Sequence, residues 1–295
     1  MNPREGKYIS SSYEPEDLPD ATAMTVTSEY NIYILETKEV ADKNCNLLSL
    51  FKYKHGKNVW ERASMSLISK EPGDDLQRNE ELLLEVDQVL YHLAFDRYGG
   101  SGLLQMRKYN WCTNLWQECS QLQLGNGKYN MYSAALSCGS HIYFLTNTEV
   151  HRYDPSQDRR CSRSPPMIIP EICTAIAMET DIFCTDEEFT QTMVYDTESD
   201  SWQKLRGCPS TGSPYITVCP SLFLLDNQLH IWLTCTYDNG DELNLVYVYD
   251  RSADAWRDLK ATLPDKQYFA FYSYCPVAHM YLPYLGAQSN DTKRH

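Results

Sequence analysis

Basic residues are scarce relative to acidic ones in this sequence. The 295 residues include 26 Lys and Arg against 40 Asp and Glu, which gives a formal net charge of −14. Binding along a phosphate backbone needs a surplus of Lys and Arg on one face of the protein. The acidic balance therefore disfavours nucleic acids and anionic membranes as partners.

Long apolar runs are absent as well. No stretch approaches the length that spans a bilayer, and the start of the chain, Met1 to Glu5, has no apolar signal region. We therefore expect a cytoplasmic protein. Hydrophobic residues make up 42% of the chain, which is ample for a packed core and too apolar for a disordered segment.

Closely spaced cysteines are missing too. The chain has 11 cysteines, an odd number, with no Cys-x-x-Cys pair among them, and its 7 histidines are dispersed. A disulfide framework or a zinc site would show closer pairing of its ligands. We expect reduced cysteines in the core, and neither a metal nor another cofactor.

A tyrosine followed seven residues later by a tryptophan recurs along the chain. The pairs are Tyr53 and Trp60, Tyr109 and Trp116, Tyr195 and Trp202, and Tyr249 and Trp256, and a fifth unit has Tyr153 with Arg160. Successive tyrosines lie 56, 44, 42 and 54 residues apart. This period is typical of a four-stranded β-propeller blade, and the repeated aromatics are interpreted as core residues.

Each repeat contains apolar runs of about four to eight residues bounded by Gly, Asn, Asp or Ser, which is the signature of strands. We name the strands of a repeat a to d. Strand b carries an aromatic run such as Leu90 to Leu93, strand c ends at the tyrosine, and strand d begins at the tryptophan. The Leu82-Leu83-Leu84 run falls in strand a of the second repeat. The sequence therefore predicts an all-β protein with very little helix.

One segment carries a family resemblance. Tyr237-Asp238-Asn239-Gly240-Asp241-Glu242-Leu243-Asn244, followed by Tyr249-Asp250 and Trp256, resembles the kelch repeat, in which a Tyr closes one strand and a Trp follows shortly after it. The double glycine that ends strand b in kelch repeats is replaced here by Cys235-Thr236. The resemblance spans almost the whole chain and implies a six-bladed kelch-type β-propeller.

Five blades lie within the chain, and the sixth is expected to be split across the termini. Asn2-Pro3 matches Asp154-Pro155, and His279 to Leu282 resembles a strand b. Joining the two ends in one blade closes the ring and leaves no free sheet edge between blades. We therefore expect the propeller to cover residues 1–286, followed by a polar tail at 287–295.

Connection lengths predict which face of the ring is functional. In an antiparallel blade the a–b and c–d turns emerge on one face, and the b–c and d–a connections on the other. The first set is short throughout, whereas the second includes Glu36 to Asn46, Ser64 to Asn79 and Thr234 to Asn244. Long, irregular loops on a rigid scaffold usually carry recognition, so we expect binding on the b–c and d–a face.

The kelch resemblance also implies candidate binding residues, because kelch proteins contact peptides just after strand b and at the start of strand a. The matching positions are Arg97, Tyr98, Tyr132, Tyr237, Asp238, Asn79 and Glu80. Glu187, Glu188 and Phe189 lie in the same set of loops and are expected to be exposed. Kelch proteins that bind acidic peptides have arginines at such positions, whereas these residues are mostly neutral or acidic. A basic or mixed ligand is expected.

Catalytic motifs are missing from the sequence. No Gly-x-Ser-x-Gly elbow surrounds any serine, and Gly125-Asn126-Gly127-Lys128 lacks the spacing of a Walker motif. Acid pairs such as Asp238 with Asp241 leave a propeller glycosidase or another hydrolase as an alternative. We expect a binding protein without catalytic residues.

The resemblance finally implies a cellular role. The glycine-poor repeats are similar to those of BTB-kelch proteins, in particular the kelch repeat and BTB domain-containing subfamily. In that family a BTB domain binds cullin-3 and the propeller selects substrate proteins for ubiquitination. No BTB-like segment is present in this sequence, so cullin-3 contact would need a BTB domain outside it. A kelch scaffold that binds cytoskeletal or other proteins without ubiquitination remains the alternative.

Overall fold

The chain folds as an all-β protein. The computed structural model describes residues 21–29, 31–40, 43–54, 57, 59–69, 79–96, 103–123, 134–146, 149–165, 172–186, 189–205, 217–225, 227–237, 239 and 241–260. No helix occurs within these ranges, so they contain none that could cross a membrane. The expected segments of a sixth repeat, residues 1–20 and 261–286, lie outside the described residues, as does the polar tail.

Five consecutive antiparallel sheets make up the described chain, each following the order of its strands in the sequence. The first sheet contains β1 (Ala23–Val26), β2 (Ile32–Glu39), β3 (Cys45–Lys54) and β4 (Val59–Ser69). The second sheet contains β5 (Asn79–Val86), β6 (Val89–Asp96), β7 (Leu103–Asn110) and β8 (Leu115–Glu118), and β9 (Leu122–Gln123) pairs with β7.

The remaining three sheets repeat the same plan. The third contains β10 (Ala134–Cys138), β11 (His141–Leu145), β12 (Val150–Asp154) and β13 (Arg159–Arg163). The fourth contains β14 (Ile172–Met178), β15 (Asp181–Asp186), β16 (Thr192–Asp196) and β17 (Ser201–Lys204). The fifth contains β18 (Thr217–Leu225), β19 (Gln228–Thr236), β20 (Glu242–Asp250) and β21 (Ala255–Asp258).

The sheets lie side by side in chain order. Their first strands contact one another in the sequence β1, β5, β10, β14 and β18. Each apolar cluster is built from the facing sides of two successive sheets, as where Tyr143 and Leu145 of the third sheet pack with Ile182 and Tyr195 of the fourth. The hydrophobic core therefore lies between sheets, and the second, third and fourth sheets are each covered on both faces by a neighbouring sheet.

The repeated tyrosine and tryptophan are direct cross-strand partners. In four sheets the two residues lie opposite each other in the register of the third and fourth strands, for example Tyr195 with Trp202 and Tyr249 with Trp256. Their ring centroids are 4.9 Å apart in the fourth sheet and 5.2 Å apart in the fifth. The residue after each tyrosine also pairs with the residue before each tryptophan, as Asp196 does with Ser201. The third strand therefore ends one residue later, and the fourth begins one residue earlier, than the sequence predicts.

The turn between these strands is built by two polar residues that sequence reasoning missed. In the second to fifth sheets the residue after the tyrosine is Asp or Asn and accepts hydrogen bonds from two backbone N–H groups of the turn, as Asp196 does from Glu198 and Ser199 at 2.8 and 3.1 Å. The first sheet has Lys54 at this position. The residue five after the tyrosine has a positive φ, which is 54° at Asp200 and 55° at Asn114. Asn and Asp tolerate this left-handed conformation better than other residues with a side chain.

The same positive-φ residue is hydrogen-bonded to the tyrosine and to the preceding sheet. Tyr195 donates its hydroxyl to Asp200 Oδ1 at 2.5 Å, and the backbone N–H of Ser164, next to β13, donates to the same carboxylate oxygen at 3.0 Å. In the third sheet, Asp158 accepts in the same way from Tyr153 and from Ser120 of the second sheet. Burial alone would raise the pKa of Asp200, but these hydrogen bonds lower it.

We expect Tyr195→Phe to lower the free energy of unfolding by about 1.5–3 kcal/mol, the usual contribution of a hydrogen bond to a charged group. Tyr195 is fully buried, and the substitution removes only its hydroxyl. Tyr109→Phe is the matched control, because its partner is the neutral Asn114 at 3.3 Å. Urea unfolding should show a smaller loss for the control, and equal losses would contradict the role assigned to the carboxylate.

Several details differ from the sequence predictions. Glu36 to Glu39 and Ser64 to Ser69 were expected in loops but continue β2 and β4, because the pairs Glu39 with Asn46 and Cys45 with Ser69 extend the ladders. Seven of the described cysteines are free, and Cys138, Cys184 and Cys235 among them are buried as expected. Cys112 is exposed instead, since it lies in a turn.

Candidate functional site

The strands give the sheets two distinct ends. We call the end with the turns at 28–29, 87–88, 139–140 and 179–180 the turn end, and the opposite end the connection end. Thr22 and Glu81 meet near the starts of β1 and β5, whereas Ser28 and Glu85 meet near their finishes, so these two strands run in the same direction. Arg251 and Asp181 meet at the turn end of the fifth and fourth sheets, 3.3 Å apart.

Three of the predicted binding residues lie among the described residues, and all three are at the connection end of their sheets. Asn79 and Glu80 begin β5, opposite Asp96 and Phe95 of β6. Tyr237 directly follows β19 in the fifth sheet. The other four, Arg97, Tyr98, Tyr132 and Asp238, lie outside the described residues.

Hydrogen bonds hold the backbone at Tyr237 in place. Its backbone N–H donates to the carbonyl oxygen of Asp241 at 2.9 Å, next to the pair formed by Thr236 and Glu242. The side chain of Asn239 stabilises the turn by donating to Asp241 Oδ2 at 2.7 Å and accepting from the Asp241 N–H at 3.0 Å. Tyr237 is half-buried, so it offers ring surface from a backbone that loses little freedom on binding.

The connection end of the first two sheets contains a buried carboxylate that sequence reasoning missed. Glu81 Oε2 accepts hydrogen bonds from the hydroxyls of Thr22 and Thr37, both at 2.7 Å. It also lies 3.5 Å from His92 Nε2, and the side chains of Glu81 and His92 are 6% and 1% exposed. Glu81 therefore joins the first sheet to the second immediately beneath Asn79 and Glu80.

Glu81 remains ionised despite its burial. Burial raises the pKa of this carboxyl, but the nearby His92 and the hydrogen bonds from Thr22 and Thr37 lower the pKa from the ordinary 4.5 to about 2. The only sequence signal was an acid placed directly before the apolar run Leu82-Leu83-Leu84. Its donors come from another sheet, which the local pattern does not reveal.

In the fourth sheet a carboxylate holds the connection between β15 and β16. Asp186, at the end of β15, accepts hydrogen bonds from the backbone N–H groups of Thr190 and Gln191 at 2.7 and 3.1 Å, and from the Thr190 hydroxyl. Phe189 adopts a φ of 54° and is 2% exposed. Its ring packs against Trp256 of the fifth sheet at 5.4 Å. The expectation that Phe189 is exposed was wrong, because the turn directs the ring between two sheets.

The two strongly hydrogen-bonded carboxylates at this end, Glu81 and Asp186, are thus engaged in structure. Hydrolysis of a glycoside needs two carboxyl groups that face a shared substrate, and these two lie in different sheets with separate sets of donors. Within the part of the chain that the structure describes, no group of three His, Cys, Asp or Glu side chains could hold a metal ion.

Comparisons with known proteins bear on the fold. No protein-family model matches the chain, and no curated protein matches it. A solved structure titled "Structure of YjhT" is similar over 84% of this chain and 85% of its own, with 11% sequence identity and a TM-score of 0.53. At this identity the similarity concerns the arrangement of the strands and leaves the function open.

Proposed function

We propose that this chain is a six-bladed kelch-type β-propeller that binds a substrate protein on its connection end. In this proposal it serves as the recognition domain of a BTB-kelch adaptor for a cullin-3 ubiquitin ligase. The observation that carries the proposal is the run of five four-stranded sheets in chain order, with their first strands in contact. The residues at 1–20 and 261–286 would supply the sixth blade and close the ring.

Two features support binding rather than catalysis. The hydrogen-bonded carboxylates Glu81 and Asp186 brace the connection end instead of facing each other, and hydrogen bonds hold the backbone at Tyr237 in place. Tyrosine is frequent among the residues that dominate protein interfaces. The ubiquitin-ligase role rests on the kelch resemblance of the repeats, since fold alone does not give function.

Capture of partner proteins by the purified chain tests the binding face. The double variant Tyr98→Ala with Tyr237→Ala should lose its partner, because removing one interface anchor typically costs about 2 kcal/mol or more, roughly a thirtyfold loss of affinity. Ser140→Ala, at the turn end, is the control and should bind as well as the unchanged chain. If only the Ser140→Ala variant lost binding, the interface would lie at the turn end, and the proposed binding face would be wrong.

The ligase role has its own test in cells. When cullin-3 is depleted, a captured partner should become more abundant and carry less ubiquitin, because the adaptor no longer delivers it. A partner that depends on Tyr98 and Tyr237 for binding but keeps its abundance and ubiquitination would favour the scaffold alternative.

A further inference from the structure

The outer strand of the third sheet has an unusual concentration of positive charge. In β13, Arg159–Arg163, three of the five residues are arginines, although the chain as a whole has a net charge of −14. Arg160 occupies the position that tryptophan holds in the other four sheets, opposite the buried Tyr153. Arg159 and Arg160 are both exposed. Positive charge is therefore placed on a sheet edge in an otherwise acidic protein.

These two arginines have no partner in the described part of the chain. The nearest carboxylates along the hairpin, Asp154 and Asp158, are engaged elsewhere: Asp154 accepts from Ser156 and Gln157, and Asp158 accepts from Ser120 and Tyr153. Neither arginine forms a hydrogen bond or an ion pair with any described residue. Their guanidinium groups are free to bind a ligand.

The remaining arginines of the hairpin lie on one face of the sheet. Side chains alternate along a strand, so Arg159 and Arg163 share a face and Arg160 points to the other. Arg152 lies opposite Cys161 and so belongs to the first face. Arg163 reaches Asp200 only at 3.9 Å. Burial, and then the charges of Arg152 and Arg163, lower the pKa of His141, while the charges of Asp154 and Asp87 raise it.

The edge itself can accept another strand. Among the described strands β13 pairs only with β12, through five consecutive residue pairs, and it is the last strand of its sheet. The backbone N–H and C=O groups on its outer side form a template for pairing with an extended peptide. Guanidinium groups bind carboxylates in a two-point geometry. The arginine side chains and the unpaired backbone edge therefore both favour an extended acidic peptide.

We propose that β13 is a second binding site, which takes an acidic segment of a partner protein by adding it as an antiparallel strand. The occupant has two consecutive acidic residues, one opposite Arg159 and one opposite Arg160, and a third three residues earlier, opposite Arg163. This spacing follows from antiparallel pairing, in which successive residues of the added strand lie opposite Arg163, Ser162, Cys161, Arg160 and Arg159 in that order. The site lies on the side wall of the sheets and is independent of the function proposed for the connection end.

Fluorescence anisotropy with the full chain and labelled peptides tests the proposal. The probe is Thr-Glu-Val-Thr-Glu-Glu-Val, which places glutamates opposite all three arginines. Replacing the first Val, which lies opposite Ser162, by Pro removes a backbone N–H that faces β13 and blocks strand addition, and replacing Glu by Lys reverses the charge. The original peptide should bind, more weakly as salt is raised, and both altered peptides should bind at least roughly tenfold more weakly.

Arginine variants complete the test. The double variant Arg159→Ser with Arg160→Ser should bind the peptide roughly tenfold or more weakly, with an unchanged melting temperature because both side chains are exposed. Arg257→Ser is the matched control, since Arg257 is an exposed arginine next to the tryptophan of β21, and it should bind normally. Tyr237→Ala should also bind normally, which separates this site from the connection end.

Three results would overturn the proposal. The first is no peptide binding at millimolar concentration, and the second is equal binding by the double variant and the unchanged chain. The third is binding of a single-stranded oligonucleotide as tightly as the peptide, because this would indicate a site for anionic polymers in general.

Discussion

Trp256→Ala is expected to lower the free energy of unfolding by about 3–5 kcal/mol, the usual cost of truncating a buried large aromatic side chain. The indole is 8% exposed. It packs on Tyr249 across the strand pair at 5.2 Å and on Phe189 of the fourth sheet at 5.4 Å. The substitution therefore leaves a cavity within one sheet and weakens its contact with the next.

Trp111→Ala provides the control for this prediction. Trp111 lies in the turn after β7 and is 43% exposed, although it donates a hydrogen bond to the carbonyl oxygen of Gln88 at 3.0 Å. Its loss should cost about 1–2 kcal/mol, from one hydrogen bond and partial ring contacts. Urea unfolding of both variants gives the comparison. If Trp256→Ala were as stable as the unchanged chain, the assignment of the repeated tryptophans to the core would fail.

Glu81 should make the stability of the protein depend strongly on pH. Its pKa falls from 4.5 to about 2 in the folded protein, so folding favours the carboxylate. The contribution is fully present above about pH 5 and is lost as the pH falls through the range between the two pKa values. Its size is on the order of 3 kcal/mol, because each pH unit between the two pKa values corresponds to about 1.4 kcal/mol.

Glu81→Gln isolates this contribution from the other acids. The difference in free energy of unfolding between the unchanged chain and the variant should be constant between about pH 7 and pH 5, and should shrink as the pH falls further. Thr37→Val removes one of the donors and should give a smaller pH dependence than the unchanged chain. A difference that stays the same down to about pH 3 would show that Glu81 is not held as a carboxylate.

The sequence was most informative where the structure depends on neighbours in the same sheet. The seven-residue interval between Tyr195 and Trp202 fixes the length of a hairpin, so it predicted two strands and their pairing. The all-β class followed from the repeats. The number of blades and the binding face remain predictions. They depend on residues such as Tyr98 and Asp238, which lie outside the described part of the chain.

The sequence was less informative where a residue depends on another sheet. Glu81 is stabilised by Thr22 and Thr37, which are about 40 to 60 positions away. Phe189 is buried because a positive-φ turn directs it towards Trp256. Trp202, one of the aromatics interpreted as core residues, is half-buried, and its Nε1 donates to the carbonyl oxygen of Ser164, just after β13, at 2.9 Å. Such contacts are set by how the sheets pack, which local patterns do not specify.

The hydrogen bonds from Ser120 and Ser164 to the next sheet have a consequence for how the molecule can be varied. Each serine closely follows an outer strand, so the chain is anchored to the next sheet before the connecting segment begins. Insertions placed after β9, or a few residues beyond Ser164, would change the length of a connection without moving either sheet, and added loop length itself costs little. New binding segments can therefore be grafted at these positions while the framework stays intact.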